Sequence, residues 1–272
     1  MKDTAQDLNT NWRKVASTIY RKPRDSKIYG SVDIDVTDLE KFIAKKRREG
    51  VKTTLTHLMT LIVARAFREE VPELNAYIKR GNVVKRKSVD AMVSVLLKNA
   101  EMGSVKIPNA DTLTVAELSE AIAEKIKESR QGEENTAMQS KHMLSSIPWP
   151  FRSWLFNLYK LVTIDWGLSL PGVNLSSDSF GSFVMSNIGT FGLDTGYGAL
   201  LPSSNVSLVM IIGKVYKKPL VINDEILPRK VFTLSATLDH RVVDGSHGGK
   251  LFRYIRRMVK NPELLDLKPE LK

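Results

Sequence analysis

The chain has 272 residues, 42% of them hydrophobic, no cysteine and a formal net charge of +11 at pH 7. That length and apolar content suffice for a full core, while the lack of cysteine excludes disulfides, thiolate metal sites and a cysteine nucleophile. The positive balance suits an anionic partner, and charge sign alone does not choose among nucleic acid, anionic lipid, an acidic carrier protein and a phosphorylated cofactor.

The opening MKDTAQDLNTNWRKVAS is polar from its first residues and has neither the apolar core nor the cleavage site of a secretory signal, so a cytoplasmic setting is expected. Residues 5 to 20 read as a loosely amphipathic helix. After the breaker-rich RKPRDS, the alternation of Ile28, Val32, Ile34 and Val36 predicts a strand. From Thr53, the spacing of Leu55, Leu58, Met59, Ile62, Ala66 and Phe67 predicts a helix that stops before Pro72. Two short strands, Ala76 to Ile78 and Val83 to Arg86, flank Gly81 and Asn82, and Asp90 to Leu97 is expected to extend the same small antiparallel unit.

Thr114 opens TVAE, a Ser/Thr-x-x-Glu capping box, and Val115, Leu118, Ile122 and Ile126 supply the buried stripe of the helix behind it. Residues 130 to 146 turn polar and suggest a surface excursion. The greasiest stretch, Ile147 to Gly172, is interrupted by Pro148, Pro150, Arg152, Lys160 and Asp165, too often to leave the roughly 20 apolar residues of a membrane span. Its aromatic residues, Trp149, Trp154, Phe156, Tyr159 and Trp166, fit a lid or subunit contact better than peripheral membrane contact through 148–166.

The last third is strand-rich. Ser182 to Met185 and Val206 to Ile212 read as strands, the second with so few polar breaks that both its faces should be covered. A turn falls at Asn223 and Asp224. Val231 to Leu238 alternates, with Phe232, Leu234, Ala236 and Leu238 on one face and Thr233, Ser235 and Thr237 on the other. Gly245 and Ser246 open a final helix whose buried face is Leu251, Phe252, Ile255, Met258 and Val259.

Between that strand and that helix stands Asp239-His240-Arg241-Val242-Val243-Asp244-Gly245. A histidine at a rigid strand-to-loop junction can take the proton of a thiol near neutral pH, and a thiol needs such a base to attack a thioester quickly. Asp244, followed by Gly245 for a tight bend, is expected to orient the loop through a buried ion pair. On spacing alone the motif is short, and His240 could merely cap a strand while Asp244 merely starts a helix. His247 belongs in the first turn of the last helix, with no part in the chemistry. The four histidines are too scattered to suggest a metal site, and no Gly-x-Ser-x-Gly elbow, phosphate loop or His-Glu-x-x-His occurs.

DHRVVDG resembles the hallmark of the acyltransferases of 2-oxo acid dehydrogenase complexes, and its His-x-x-x-Asp-Gly core is shared with chloramphenicol acetyltransferase. Upstream, Phe183-Val184-Met185-Ser186-Asn187-Ile188-Gly189 is similar to that family's strand and Ser-Asn-x-Gly turn, and Trp12-Arg13-Lys14 is similar to its amino-terminal segment. The resemblance covers roughly residues 10 to 268 of a single catalytic domain, 1–272, with an apparent insertion at 135–178, no Gly-Leu-x-x-Pro-Val run after Leu97, and no lipoyl or peripheral-subunit-binding domain.

The resemblance implies a chloramphenicol acetyltransferase-like α/β two-layer sandwich with a mixed sheet. It also implies a homotrimer, or a higher multiple of trimers, with active sites between subunits. It implies that His240 is the base, that Ser186 donates to the oxyanion, that Arg13 pairs with Asp244, and that Asn187 and Gly245 support the site. Coenzyme A and a lipoyl group supplied in trans are the implied thiol partners, with no metal and no nucleic acid. It names no coenzyme A-binding residue. The same chemistry on a small-molecule, lipid or carrier-protein acceptor, or a non-catalytic trimeric scaffold, stays open.

Overall fold

The computed structural model describes residues 25–96, 102–130, 147–148, 150–168, 180–202 and 204–269. The expected helix at 5–20, with Arg13, and the polar stretch 131–146 lie outside the described residues.

A seven-stranded mixed sheet organises the chain. Its strands are β1 (Lys27–Asp35), β4 (Ala91–Leu96), β5 (Met102–Ile107), β6 (Phe183–Asn187), β7 (Leu208–Ile212), β8 (Tyr216–Ile222) and β9 (Glu225–Asp239), in the order β1-β9-β7-β6-β4-β5 with β8 pairing the first half of β9. β4, β6 and β7 are parallel, and β9 is antiparallel to β1, β7 and β8. β2 (Ala76–Lys79) and β3 (Asn82–Lys85) form a separate two-stranded hairpin. The stretch from Asp90 therefore does not extend that hairpin as its pattern suggested; β4 enters the main sheet, where strands on both sides satisfy its backbone.

Among the described residues, four helices cover one face of the sheet: α1 (Thr37–Arg48), α2 (Leu55–Glu69), α3 (Val115–Arg130) and, after a further element α4 (Phe151–Lys160) that stands apart, α5 (Gly245–Lys260). α2 is the central one, capped by the Thr54 hydroxyl and buried from Leu58 to Phe67. The expected capping box is present in α3, where Glu117 accepts from the Thr114 backbone at 2.8 Å. Leu208, Met210, Ile212, Phe232, Leu234, Ala236 and Leu238 point into this helical core. On the other face, Val206, Val209 and Ile211 pack with Phe180, Val184, Ile188 and Leu200, so β7 is covered on both sides as its apolar run predicted.

Two described hairpin turns use positive φ at their central residues. In β8–β9 these are Asn223 and Asp224; in β2–β3 they are Arg80 and Gly81, one residue earlier than the expected Gly81 and Asn82. The mixed α/β sandwich expected from the sequence is the fold observed.

Candidate active site

His240 follows the last residue of β9, and nearly every atom of its loop is tied down. Its backbone N–H donates to the Ser26 carbonyl at 2.7 Å, and the Asp239 carbonyl accepts from Val242 and Val243 at 3.0 and 3.1 Å. Val243 is buried in the core, anchoring the loop from below. The His240 Nδ1 lies 2.9 Å from the Val243 carbonyl oxygen. A carbonyl can only accept, so Nδ1 carries the proton and Nε2 presents its lone pair outward.

The buried acid of the motif is Asp239. Its carboxylate accepts from Arg241 through Nη2 at 2.6 Å, through Nε at 3.0 Å and through the backbone N–H at 3.0 Å, with the Ser26 hydroxyl at 3.3 Å. Burial works against the charged carboxylate, but the Arg241 hydrogen bonds outweigh it and keep its pKa below the usual carboxylate range. Asp239 falls on the polar side of the β9 alternation, with Thr233, Ser235 and Thr237, so the strand's period of two delivers it inward.

Asp244 differs from expectation. Rather than being buried, its carboxylate is exposed and caps α5, accepting from the Ser246 N–H at 2.8 Å and the Ser246 hydroxyl at 2.7 Å. Those bonds and the contact with His247 hold its carboxyl far below the ordinary range. The helix needs this cap because its first N–H groups have no intrahelical acceptor. Its suggested partner Arg13 lies outside the described residues. Gly245 is the first residue of α5, without positive φ, and a Cβ there would meet nothing within 4 Å, so neither bend nor packing requires glycine. His247 completes the cap as the third residue of the helix.

Ser186 sits half-buried near the end of β6. The next residue, Asn187, turns the chain: its side-chain oxygen accepts from the Gly189 N–H at 3.0 Å, and its amide donates to the Thr56 hydroxyl at 3.1 Å, joining the turn to the first residues of α2. Gly189 is there because the backbone of the next strand's exit passes close by; a Cβ would lie 2.8 Å from the Gly213 carbonyl oxygen and from the Lys214 Cα.

The register separates Ser186 from His240. Ser186 is level with Ile211 on β7, and Ile211 with Ser235 on β9. His240 comes five residues after Ser235, which places it about 17 Å farther along the strand and about 10 Å, two strand spacings, across it. One protomer therefore does not bring Ser186 to His240; they stand at opposite ends of one sheet. The chemistry read from the motif needs both, and a second copy can supply the missing half.

The supporting residues that sequence reading missed are Asp239, Arg241 and Ser26. Asp239 and Arg241 flank His240 directly, and the alternation of β9 marks which acid faces in. Nothing in the sequence marks Ser26, because its role arises from pairing β1 with β9.

The family model for the 2-oxoacid dehydrogenases acyltransferase catalytic domain matches residues 3–143 and 174–267. A similar curated protein is the dihydrolipoyllysine-residue acetyltransferase component of the pyruvate dehydrogenase complex from Rickettsia bellii, 24% identical over an alignment of 266 residues that covers 94% of this chain and 53% of that protein. The chain thus spans about half the length of the curated relatives it matches. Among solved structures, a probable dihydrolipoamide acetyltransferase from Listeria monocytogenes superposes with a TM-score of 0.64 at 18% identity, over 93% of this chain and 92% of that one. The dihydrolipoamide acetyltransferase of Azotobacter vinelandii gives 0.62 at 18% identity, over 89% and 84%; its structure was determined to probe a serine, a histidine and an asparagine four residues beyond the histidine in that enzyme's mechanism. With the family model matched over most of its length, this chain belongs to the 2-oxoacid dehydrogenases acyltransferase family, as a catalytic domain.

Proposed function

We propose that this chain moves an acyl group between a dihydrolipoyl thiol, supplied in trans, and coenzyme A, with His240 as general base. The observation that carries the reading is the bond from Nδ1 to the Val243 carbonyl, which leaves Nε2 as the only site on the ring able to accept a proton. Nε2 takes the proton of the incoming thiol, and the thiolate attacks the carbonyl carbon of the acyl thioester. The oxyanion of the tetrahedral intermediate accepts a hydrogen bond from the Ser186 hydroxyl of a second copy. Collapse breaks the original C–S bond, and the departing thiolate recovers the proton from Nε2. Asp239 and Arg241 act by holding the loop, and Asp244 by fixing the start of α5.

The separation of Ser186 from His240 supports a trimer, or a multiple of trimers, with each site shared between neighbours. The fit to coenzyme A and to a lipoyl group rests on the thiol-base chemistry and on family membership. A second reading, transfer to a different acceptor by the same steps, is favoured by one observation: the family model leaves residues 144–173, which include α4, unmatched.

The test follows thiol release from acetyl-, succinyl- and longer acyl-coenzyme A with dihydrolipoamide as acceptor. Turnover in the wild type and its loss in His240→Ala is the expected result; no turnover with any donor would move the reading to another acceptor or to a scaffold.

A further inference from the structure

α4 and the wide helical turn after it, Leu161–Asp165, lie inside the segment the family model leaves unmatched, so they are an addition to this chain. Phe151, Trp154, Leu155, Leu158, Leu161 and Trp166 recur at helical spacing along one side, and all are exposed, Phe151 by 66% and Trp154 by 67%. The inward side is held by Thr163 and Ile164. An apolar stripe of that length facing outward marks an interaction surface.

The segment rests on the β2–β3 hairpin. The Arg80 N–H donates to the Asp165 carbonyl at 3.2 Å, the Arg80 Nε donates to the Trp166 carbonyl at 3.1 Å, and Gly167 packs against the Lys79 side chain so closely that a Cβ would lie 2.5 Å from its Cε. From residue 76 to 87 this hairpin carries Lys79, Arg80, Lys85, Arg86 and Lys87 and no acidic residue. Lys160 adds a further cation from the helix itself, and Asp165 is the single acid in 147–168. Among the described residues no helix is long and apolar enough to cross a membrane.

From this juxtaposition we propose that α4 lies in the interface of an anionic lipid bilayer, with its aromatic stripe among the acyl chains and the basic hairpin against the headgroups. Exposed tryptophans, leucines and a flanking set of cations are what such an interface recognises.

Co-sedimentation of the full chain with phosphatidylglycerol-containing vesicles, and with phosphatidylcholine alone, tests this. The expected result is binding to the anionic vesicles, weakened by high salt, with a blue shift in tryptophan emission. Trp154→Glu with Leu158→Glu should weaken it by about tenfold or more, and Lys85→Glu with Lys87→Glu should weaken it on anionic vesicles while leaving the stripe intact. Absence of binding to either vesicle, or binding unchanged in both variants, overturns the proposal. So does a wild type that forms a larger assembly than the Trp154→Glu, Leu158→Glu variant in light scattering, which would assign the stripe to contact between copies. Soluble thiol transfer should be the same in wild type and variants; its absence from all of them would count against the proposed reaction and leave the lipid result standing.

Discussion

Ser186 and His240 lie on or next to strands of one sheet, two strands apart, yet at its opposite ends. A site built from both must draw one from each of two copies. Ser186→Ala and His240→Ala variants, each inactive or nearly so, should therefore regain activity when unfolded together and reassembled. Random mixing gives about a quarter of interfaces an intact serine opposite an intact histidine, so about a quarter of wild-type thiol transfer is expected. Recovery no greater than the sum of the separately refolded variants would place the two residues in different sites.

The ring of His240 should be a single tautomer. In ¹⁵N-labelled protein, the neutral imidazole should show its proton on Nδ1, because the Val243 carbonyl 2.9 Å away can only accept. A proton found on Nε2 would remove that atom as the base and with it the proposed first step.

Arg65 is 3% exposed and donates to four backbone carbonyls, those of Leu113, Leu264, Leu265 and Leu267, at 2.7 to 3.0 Å. Arg65→Leu leaves all four acceptors short of a donor, and should cost about 3 kcal/mol in urea unfolding. A change under about 1 kcal/mol would mean that water takes over those carbonyls.

His57, hydrogen-bonded to Ser119 at 3.2 Å, has its pKa pushed down to about 4 by burial and, to a lesser degree, by the nearby Arg47. The unfolded chain binds this proton below its ordinary value near 6.5, the folded chain only near 4. Between those values the unfolded state holds more protons, so stability falls as pH falls, by about 2 kcal/mol at pH 4.5. Denaturant melts at pH 7 and pH 4.5 should show that part of the loss missing from His57→Gln; equal losses in both proteins would reject the assignment.

The parts of the fold that could be read in advance are those whose side chains carry their own pattern. α2, α3 and α5 have dense apolar spacing, the Thr114–Glu117 box marks a helix start, and β7 and β9 differ as a doubly covered strand and an alternating one should. α1 was not legible: Leu39 and Phe42 are its only buried residues, and acidic and basic residues crowd both ends. β8, YKKPLVI, carries two lysines and a proline on an edge strand, where half the backbone faces outward and such residues cost little.

His240 and Ser186 stand out in the sequence because each sits in a motif that matches the thiol chemistry the resemblance implies. Which of the two acids beside His240 turns inward could not be settled by counting from the histidine; it follows from the period of β9, which puts Asp239 on the covered side and leaves Asp244 to the helix end. The distance between Ser186 and His240 is a property of strand register, and no local pattern encodes it.

That distance also separates two quantities that ordinarily rise and fall together. A lone protomer can be correctly folded and still hold only half of the chemistry, so on dilution, or in mild denaturant, thiol transfer should vanish at a concentration where circular dichroism has not yet changed. Activity then reports the assembly equilibrium, and the specific activity of a preparation is a function of how concentrated it is.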